Sequence, residues 1–384
     1  MDNPAILEQN EKLRRQMLSA AKKEAWHYTE TITAESIAPF ASDPRLAQVD
    51  TIYLIGHGTS LATAMNAEFL FTRIAGTAAR AVAAYQFWMY APDYLKRPEH
   101  TLVIGLSCSG NTDSVVRGLE AAKAAGALTM CISGSGQIRA AGVADFRVKA
   151  HTEVEREGSM SAYSLSHLFI LLGALGAAVV LGKQRGVLGA GDLDYWRRQW
   201  EQVKDALAEL PRLYEDAKAL VDTYEDKDWH NLVVLGSGPN LGTAQEGALK
   251  ICEFAWIFGA CEELEDFAHG RFREVDGRIP LFLLAPHENS ARKVLDLLSG
   301  CQIAQTPAVI FTQCRIPEAE AFGPTVIPMP RIQEECLTPF VYVFPLWFFG
   351  FHYRSRRQAL VGERRFGLLA TDINYDAYCK RREQ

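Results

Sequence analysis

The chain has 384 residues, 48% of them apolar and 22% charged, which is enough apolar material for two domains of ordinary size and excludes a disordered chain. Lys and Arg number 40 against 46 Asp and Glu, and a net charge of −6 argues against a nucleic-acid partner, because phosphate backbones are bound by basic surpluses. Eight cysteines scattered over this length, with no C-x-x-C pair, make neither a disulfide framework nor a zinc or redox motif.

The first residues, Met1–Glu8, are polar and carry no signal-peptide core, so a cytoplasmic protein is expected. Residues 4–30 read as a polar helix within a helical lead-in spanning 1–44. Thr51–Gly56 is a β-branched apolar run that ends in Gly56-His57-Gly58-Thr59-Ser60 and is followed by a helix-period segment, Leu61–Ala75. Thr101–Leu106 is a second such run. It ends in Ser107-Cys108-Ser109-Gly110-Asn111-Thr112 and opens a helix over Asp113–Ala125. Leu128–Ser133 and Phe146–Ala150 are further strand candidates. Strands alternating with helices of this length predict a doubly wound parallel sheet, and uninterrupted apolar runs fit strands covered on both faces. Leu165–Gly182 is apolar and long enough to raise the question of a membrane span. It stands alone, however, and contains Ser166, His167 and three glycines, so a buried core helix is expected and no membrane.

The rhythm breaks at Gly186–Trp229, where a charged helical segment, Asp192–Tyr224, is interrupted by Pro211; this is a connector over 186–228. It resumes with Asn231–Leu235, the turn Gly236-Ser237-Gly238-Pro239-Asn240, a helix from Leu241 to Phe258, and strand candidates at Ile279–Ala285, Ala308–Thr312 and Thr325–Met329. The expected architecture is therefore α/β, two doubly wound parallel-sheet domains in tandem over 45–185 and 229–350, with a tail over 351–384.

Three groups of residues bear on chemistry. The hydroxyls of Ser107, Ser109 and Thr112, at a turn that opens a helix, suit a phosphate held by backbone N–H groups and the helix dipole. The same residue types also serve as ordinary helix caps, and a second hydroxyl-rich turn at Gly56–Ser60 leaves the two readings level. Glu246, Lys250 and Glu253 fall on one face of a helix. They make either a solvated ion-pair ladder or, given the apolar residues around them, the lining of a cleft where a carboxylate can act as a general base. His269, beside Gly270, reads either as a loop residue or as part of that site. Cys108 as a nucleophile lacks an identifiable histidine partner, and no G-x-G-x-x-G, Walker A or H-E-x-x-H motif points to a nucleotide or a metal, so neither cofactor nor metal is expected.

Taken together, Gly56-His-Gly-Thr-Ser60, Ser107-Cys-Ser-Gly-Asn-Thr112, Gln245-Glu-Gly-Ala-Leu-Lys-Ile-Cys-Glu253 and Ala268-His-Gly270 resemble the sugar isomerase (SIS) domain family. The likeness, over roughly residues 5–350, is to the double-SIS isomerase module of glucosamine-6-phosphate synthase and to the stand-alone fructosamine-6-phosphate deglycases. Leu337–Leu346 and His352 match the last apolar helix of that family. The resemblance implies flavodoxin-like domains and a sugar phosphate held by Gly58, Thr59, Ser60, Ser107, the Cys108 backbone, Ser109 and Thr112, with Ser159 at the sugar. It implies Glu253 as the base between C1 and C2, Glu246 and Lys250 lining the pocket, and His269 assisting ring opening from the neighbouring subunit. A homodimer with shared sites follows, with a tetramer left open.

Two departures bear on the reaction. Asp2 follows Met1, where the synthase exposes a catalytic cysteine in a glutaminase domain, so glutamine-dependent amination is not expected. Leu369 and Ser161 stand where the synthase has lysines. The reaction expected is therefore deglycation of a 6-phosphorylated fructosamine to glucose 6-phosphate and an amine. The alternatives are an amino-sugar-phosphate isomerase or deaminase and, in another class, a non-catalytic sugar-phosphate sensor.

Overall fold

The structure is a computed structural model that describes residues 38–134, 138–150, 160–224, 227 and 229–361. The expected helix over 4–30, Ser159 and Leu369 lie outside them. The first sheet contains β1 (Thr51–Gly56), β2 (Ala78–Ala83), β3 (Thr101–Ser107), β4 (Leu128–Ser133) and β5 (Phe146–Lys149), and the second contains β6 (Asn231–Gly236), β7 (Phe258–Glu263), β8 (Leu281–Leu284), β9 (Ala308–Thr312) and β10 (Thr325–Pro328). Every strand pairing among the described residues is parallel. The orders are β2-β1-β3-β4-β5 and, taken from its β7 edge, β7-β6-β8-β9-β10, so both sheets follow one flavodoxin-like plan.

The longer helices are α1 (Thr59–Ala75), α2 (Asp113–Ala124), α3 (Met160–Gln184), α4 (Ala190–Ala208), α5 (Leu210–Thr223), α6 (Pro239–Ala255), α7 (Leu264–Ala268), α8 (Glu288–Ala304) and α9 (Pro339–Val361). The connector is two helices joined at Glu209, and Pro211 sits in the first turn of α5, where its missing N–H leaves no intrahelical bond unmade. The helix expected over 241–258 stops at Ala255, because Trp256 adopts a left-handed φ of 55° and turns the chain into β7.

Strands β2 and β7 are the two elements the sequence pattern does not signal. Ala78–Ala83 and Phe258–Glu263 lack a β-branched run, and as edge strands they are only partly covered. The central strands β3 and β4 are buried throughout, as uninterrupted apolar runs require.

Helix α3 is the one helix among the described residues long and apolar enough to cross a membrane, and it is packed into the core instead. One continuous apolar cluster runs from Leu54 and Leu70 in the first domain through Leu171 of α3 to Trp347 and Phe349 of α9. The domains meet where α1 crosses α6. Gly242 permits the crossing: a Cβ there would lie 2.4 Å from the Ala62 carbonyl oxygen. The Asn66 amide donates across the same joint to the Pro239 carbonyl (2.5 Å) and the Thr243 hydroxyl (3.1 Å).

Candidate active site

In an open α/β sheet a ligand binds beyond the carboxyl ends of the strands, at the point where strand order reverses. In the first domain that point lies between β1 and β3, and both hydroxyl-rich turns leave from those two strands. Gly58, with φ 52°, occupies the left-handed region that favours glycine and caps α1. A Cβ on it would lie 3.7 Å from Leu249 of α6, so the first turn abuts the second domain's helix. Ser60 is buried and Thr59 half-buried in the first turn of α1.

The second turn is held by its own hydroxyls. Ser107 Oγ shares a hydrogen bond with Thr112 Oγ1 at 3.1 Å and accepts the Gly110 N–H at 3.0 Å, and Ser109 Oγ accepts the Asn111 N–H at 3.2 Å. Gly110 has φ 63°, and a Cβ there would sit 1.9 Å from Ile138 Cγ2, so any side chain would unmake the bend. Thr112 caps α2 without a side-chain hydrogen bond, so its hydroxyl does not consume the helix's first N–H groups. Cys108 is partly buried, and its carbonyl accepts the Gly134 N–H. Asp113, first in α2, is held below the usual carboxylate range by Arg139 and Arg117. His57 ties the two turns together: its Nε2 accepts the Tyr85 N–H at 3.1 Å and lies 2.9 Å from Ser114 Oγ. Burial lowers the imidazole's pKa and keeps it neutral.

Helix α6 brings its polar residues from the second domain against the first of these turns, at Gly58 and Thr59. Glu246 is 0% exposed and Lys250 1%, so the solvated-ladder reading does not hold. Lys250 Nζ donates to Glu253 Oε2 at 2.8 Å and lies 3.8 Å from Glu246 Oε1. Glu253, with a side chain 33% exposed, is the one member of the three that reaches the surface of the chain. Burial pushes Glu246 up to about 7, against the pull of Lys250. Thr59 and Trp347 also favour its ionised form, although neither closes a hydrogen bond of ordinary geometry. Thr59 thus joins the Gly56–Ser60 turn to the carboxylate cluster.

His269 is placed apart from that cluster within the chain. It ends the short helix α7 with its side chain 72% exposed, and its Nε2 lies 3.1 Å from Glu265 of the same helix. Ser159 lies outside the described residues. The sequence reading missed His57, His167 and Trp347. His167 is fully buried, its Nδ1 lies 2.9 Å from Thr63 Oγ1, and its ring meets Trp347 edge-on at 6.1 Å. Its only sequence signal was an imidazole inside an apolar run. Among the described residues no group of three His, Cys, Asp or Glu side chains is placed to hold a metal ion.

The second domain repeats the plan without the hydroxyls. After β8 the chain reads Ala285-Pro286-His287-Glu288, and Ser290 Oγ donates back to the His287 carbonyl at 2.9 Å. Both helices open on an acidic residue, Asp113 in α2 and Glu288 in α8, so the two turns differ in their hydroxyls and not in the charge of the first helical residue.

Residues 45–178 match the SIS domain family. Curated relatives include the glutamine–fructose-6-phosphate aminotransferases (isomerizing) of Haemophilus ducreyi, 27% identical over 330 residues covering 84% of this chain and 51% of that protein, and of Thermococcus kodakarensis, 27% identical over 316 residues covering 80% and 49%. The chain spans about half the length of these relatives. Among solved structures, the C-terminal domain of glucosamine-fructose-6-phosphate aminotransferase from Francisella tularensis superposes with a TM-score of 0.74 at 17% identity, covering 89% of this chain and 95% of that one. Tagatose-6-phosphate ketose/aldose isomerase from Escherichia coli superposes with a TM-score of 0.70 at 19% identity, covering 93% and 95%.

Proposed function

We propose that this chain, with residues 45–178 similar to the SIS domain and a second domain of the same strand order, is a tandem SIS protein that deglycates a 6-phosphorylated fructosamine. The observation that carries this reading is the Lys250–Glu253 pair, closed at 2.8 Å on a largely buried helix that abuts the Gly56–Ser60 turn. The phosphoryl end of the sugar sits at the 107–112 turn, between the Ser107, Ser109 and Thr112 hydroxyls and the opening N–H groups of α2. His269 of a second subunit reaches the sugar ring oxygen and assists ring opening, which its exposed position allows. Gly58, Thr59, Ser60 and the Cys108 backbone complete the sugar-binding edge, with Ser159 contributing as the resemblance implies.

In the open-chain substrate the nitrogen is on C1 and the carbonyl on C2. Glu253 removes a C1 proton and O2 gains one, which gives an enaminol. Return of the proton to C2 gives the aldimine, and water at C1 releases glucose 6-phosphate and the free amine. Each general acid–base step of this kind contributes roughly 10²–10⁴-fold. Lys250 fixes the direction of the Glu253 carboxylate, and Glu246 keeps a proton available near neutral pH. Deglycation rather than isomerisation is favoured by Leu369, an apolar residue where the resemblance to the synthase module would place a lysine.

The test is release of glucose 6-phosphate from 6-phosphofructosyl-lysine and related amino-acid adducts, with both products followed by mass. Glu253→Gln should cut turnover by roughly 10²–10⁴-fold with the fold intact. No release from any adduct removes the reading, and wild-type turnover in Glu253→Gln removes the assigned base.

A further inference from the structure

His167 carries chemistry that the reaction above does not use. The Thr63 hydroxyl has one proton and gives it to the Thr59 carbonyl at 2.8 Å, so it can only accept from His167 Nδ1 at 2.9 Å. The imidazole is thereby fixed as the Nδ1–H tautomer, with an acceptor lone pair on Nε2. That nitrogen is buried and has no hydrogen-bond partner among the described residues. Trp347, whose ring meets the imidazole edge-on, has a buried indole N–H, and both Glu246 oxygens are buried, each without a hydrogen bond of ordinary geometry among the described residues. Lys250, whose charge bears on the imidazole, has three N–H groups and spends one on Glu253. Buried polar atoms left in such complementary sets are rare unless they are paired at some stage of function.

We propose that His167 is a positioning residue for Lys250: its Nε2 is the neutral acceptor that takes an ammonium N–H when Glu253 turns from Lys250 to the substrate. The proposal rests on the functional reading above. A carboxylate in this place would compete with Glu253 for the substrate proton, whereas an imidazole without a proton on Nε2 holds the ammonium and adds no charge. The groups bearing on the ring are the Thr59 carbonyl and the Thr63 hydroxyl of α1, Lys250 of α6 with its ion-pair partners Glu246 and Glu253, and the Trp347 indole of α9. Burial and the Lys250 charge keep the imidazole unprotonated, with a pKa of about 3.

The experiment has two arms. In the first, ¹⁵N NMR of the resting wild-type protein, with the resonance assigned from its loss in His167→Gln, should show the Nδ1–H tautomer, unprotonated at pH 6. An Nε2–H tautomer or an imidazolium there overturns the proposal, whatever the enzyme turns over. In the second, His167→Leu should lower kcat roughly 10–100-fold, the worth of one hydrogen bond to a charged group, with KM within about threefold of wild type. His167→Gln, which keeps an acceptor, should recover most of that loss. Wild-type kcat in His167→Leu, or equal losses in both variants, overturns the proposal. Should His167→Leu not fold, His167→Gln and the tautomer decide. A wild-type protein inert to every ketosamine phosphate sinks the functional reading instead, and the first arm then judges His167 alone.

Discussion

Glu246 and His167 lie on unexpected sides of their usual titration ranges for one reason: burial disfavours whichever form is charged. Glu246 moves from 4.5 to about 7, so its contribution to stability is full below pH 4.5 and is lost as pH rises to 7. His167 moves from 6.5 to about 3, so its contribution is full above pH 6.5 and is lost as pH falls. Between pH 4.5 and 6.5 the two slopes oppose each other, each at about 1.4 kcal/mol per pH unit. His167→Gln should therefore expose a stability that falls with rising pH over this window, and Glu246→Gln one that falls with falling pH. Urea unfolding at half-unit pH steps reads both, and variants that keep the wild-type slope would refute these positions of the two protons. Of the cluster, the Glu246, Lys250 and Glu253 face was legible, because offsets of four and seven place residues on one side of a helix whatever the tertiary structure. His167 was not, since an apolar run signals burial but says nothing about which neighbour a buried imidazole meets.

Among the elements, β1, β3 and β6 with their following helices were legible because each combines a β-branched run with a glycine-containing turn. The edge strands β2 and β7 were not, because a strand with one neighbour and partial cover needs no apolar run. Neither was the crossing of α1 on α6, which depends on the absence of a side chain at Gly242 rather than on any pattern. Gly242→Ala would press a methyl against the Ala62 and Asn66 backbone and should cost about 1–3 kcal/mol. Gly142, helical with nothing within 4 Å of a Cβ, is the internal control: Gly142→Ala should be neutral or stabilising by about 0.4–1 kcal/mol. Thermal unfolding of the two variants distinguishes them, and equal effects would refute the close crossing.

At the scale of the molecule, the tandem plan could be read from the order of elements, while the docking of the domains into one core could not. The assembly prediction follows from exposed His269 and partly exposed Glu253 on one chain. If the active site is shared between subunits, Glu253→Gln and His269→Ala proteins, each inactive alone, should form mixed dimers with one intact site. Random pairing would then restore about a quarter of wild-type activity. No recovery in verified heterodimers would place His269 outside the site. The unequal turns after β3 and β8 carry a further consequence. The turn after β3 carries the Ser107, Ser109 and Thr112 hydroxyls and the turn after β8 carries none, while the second domain supplies the helix with Glu246, Lys250 and Glu253. On the proposed function grip and turnover fall to different halves, so a shuffled library that exchanges only residues 45–185 should vary in affinity while keeping its rate, and one that exchanges 229–350 should do the reverse.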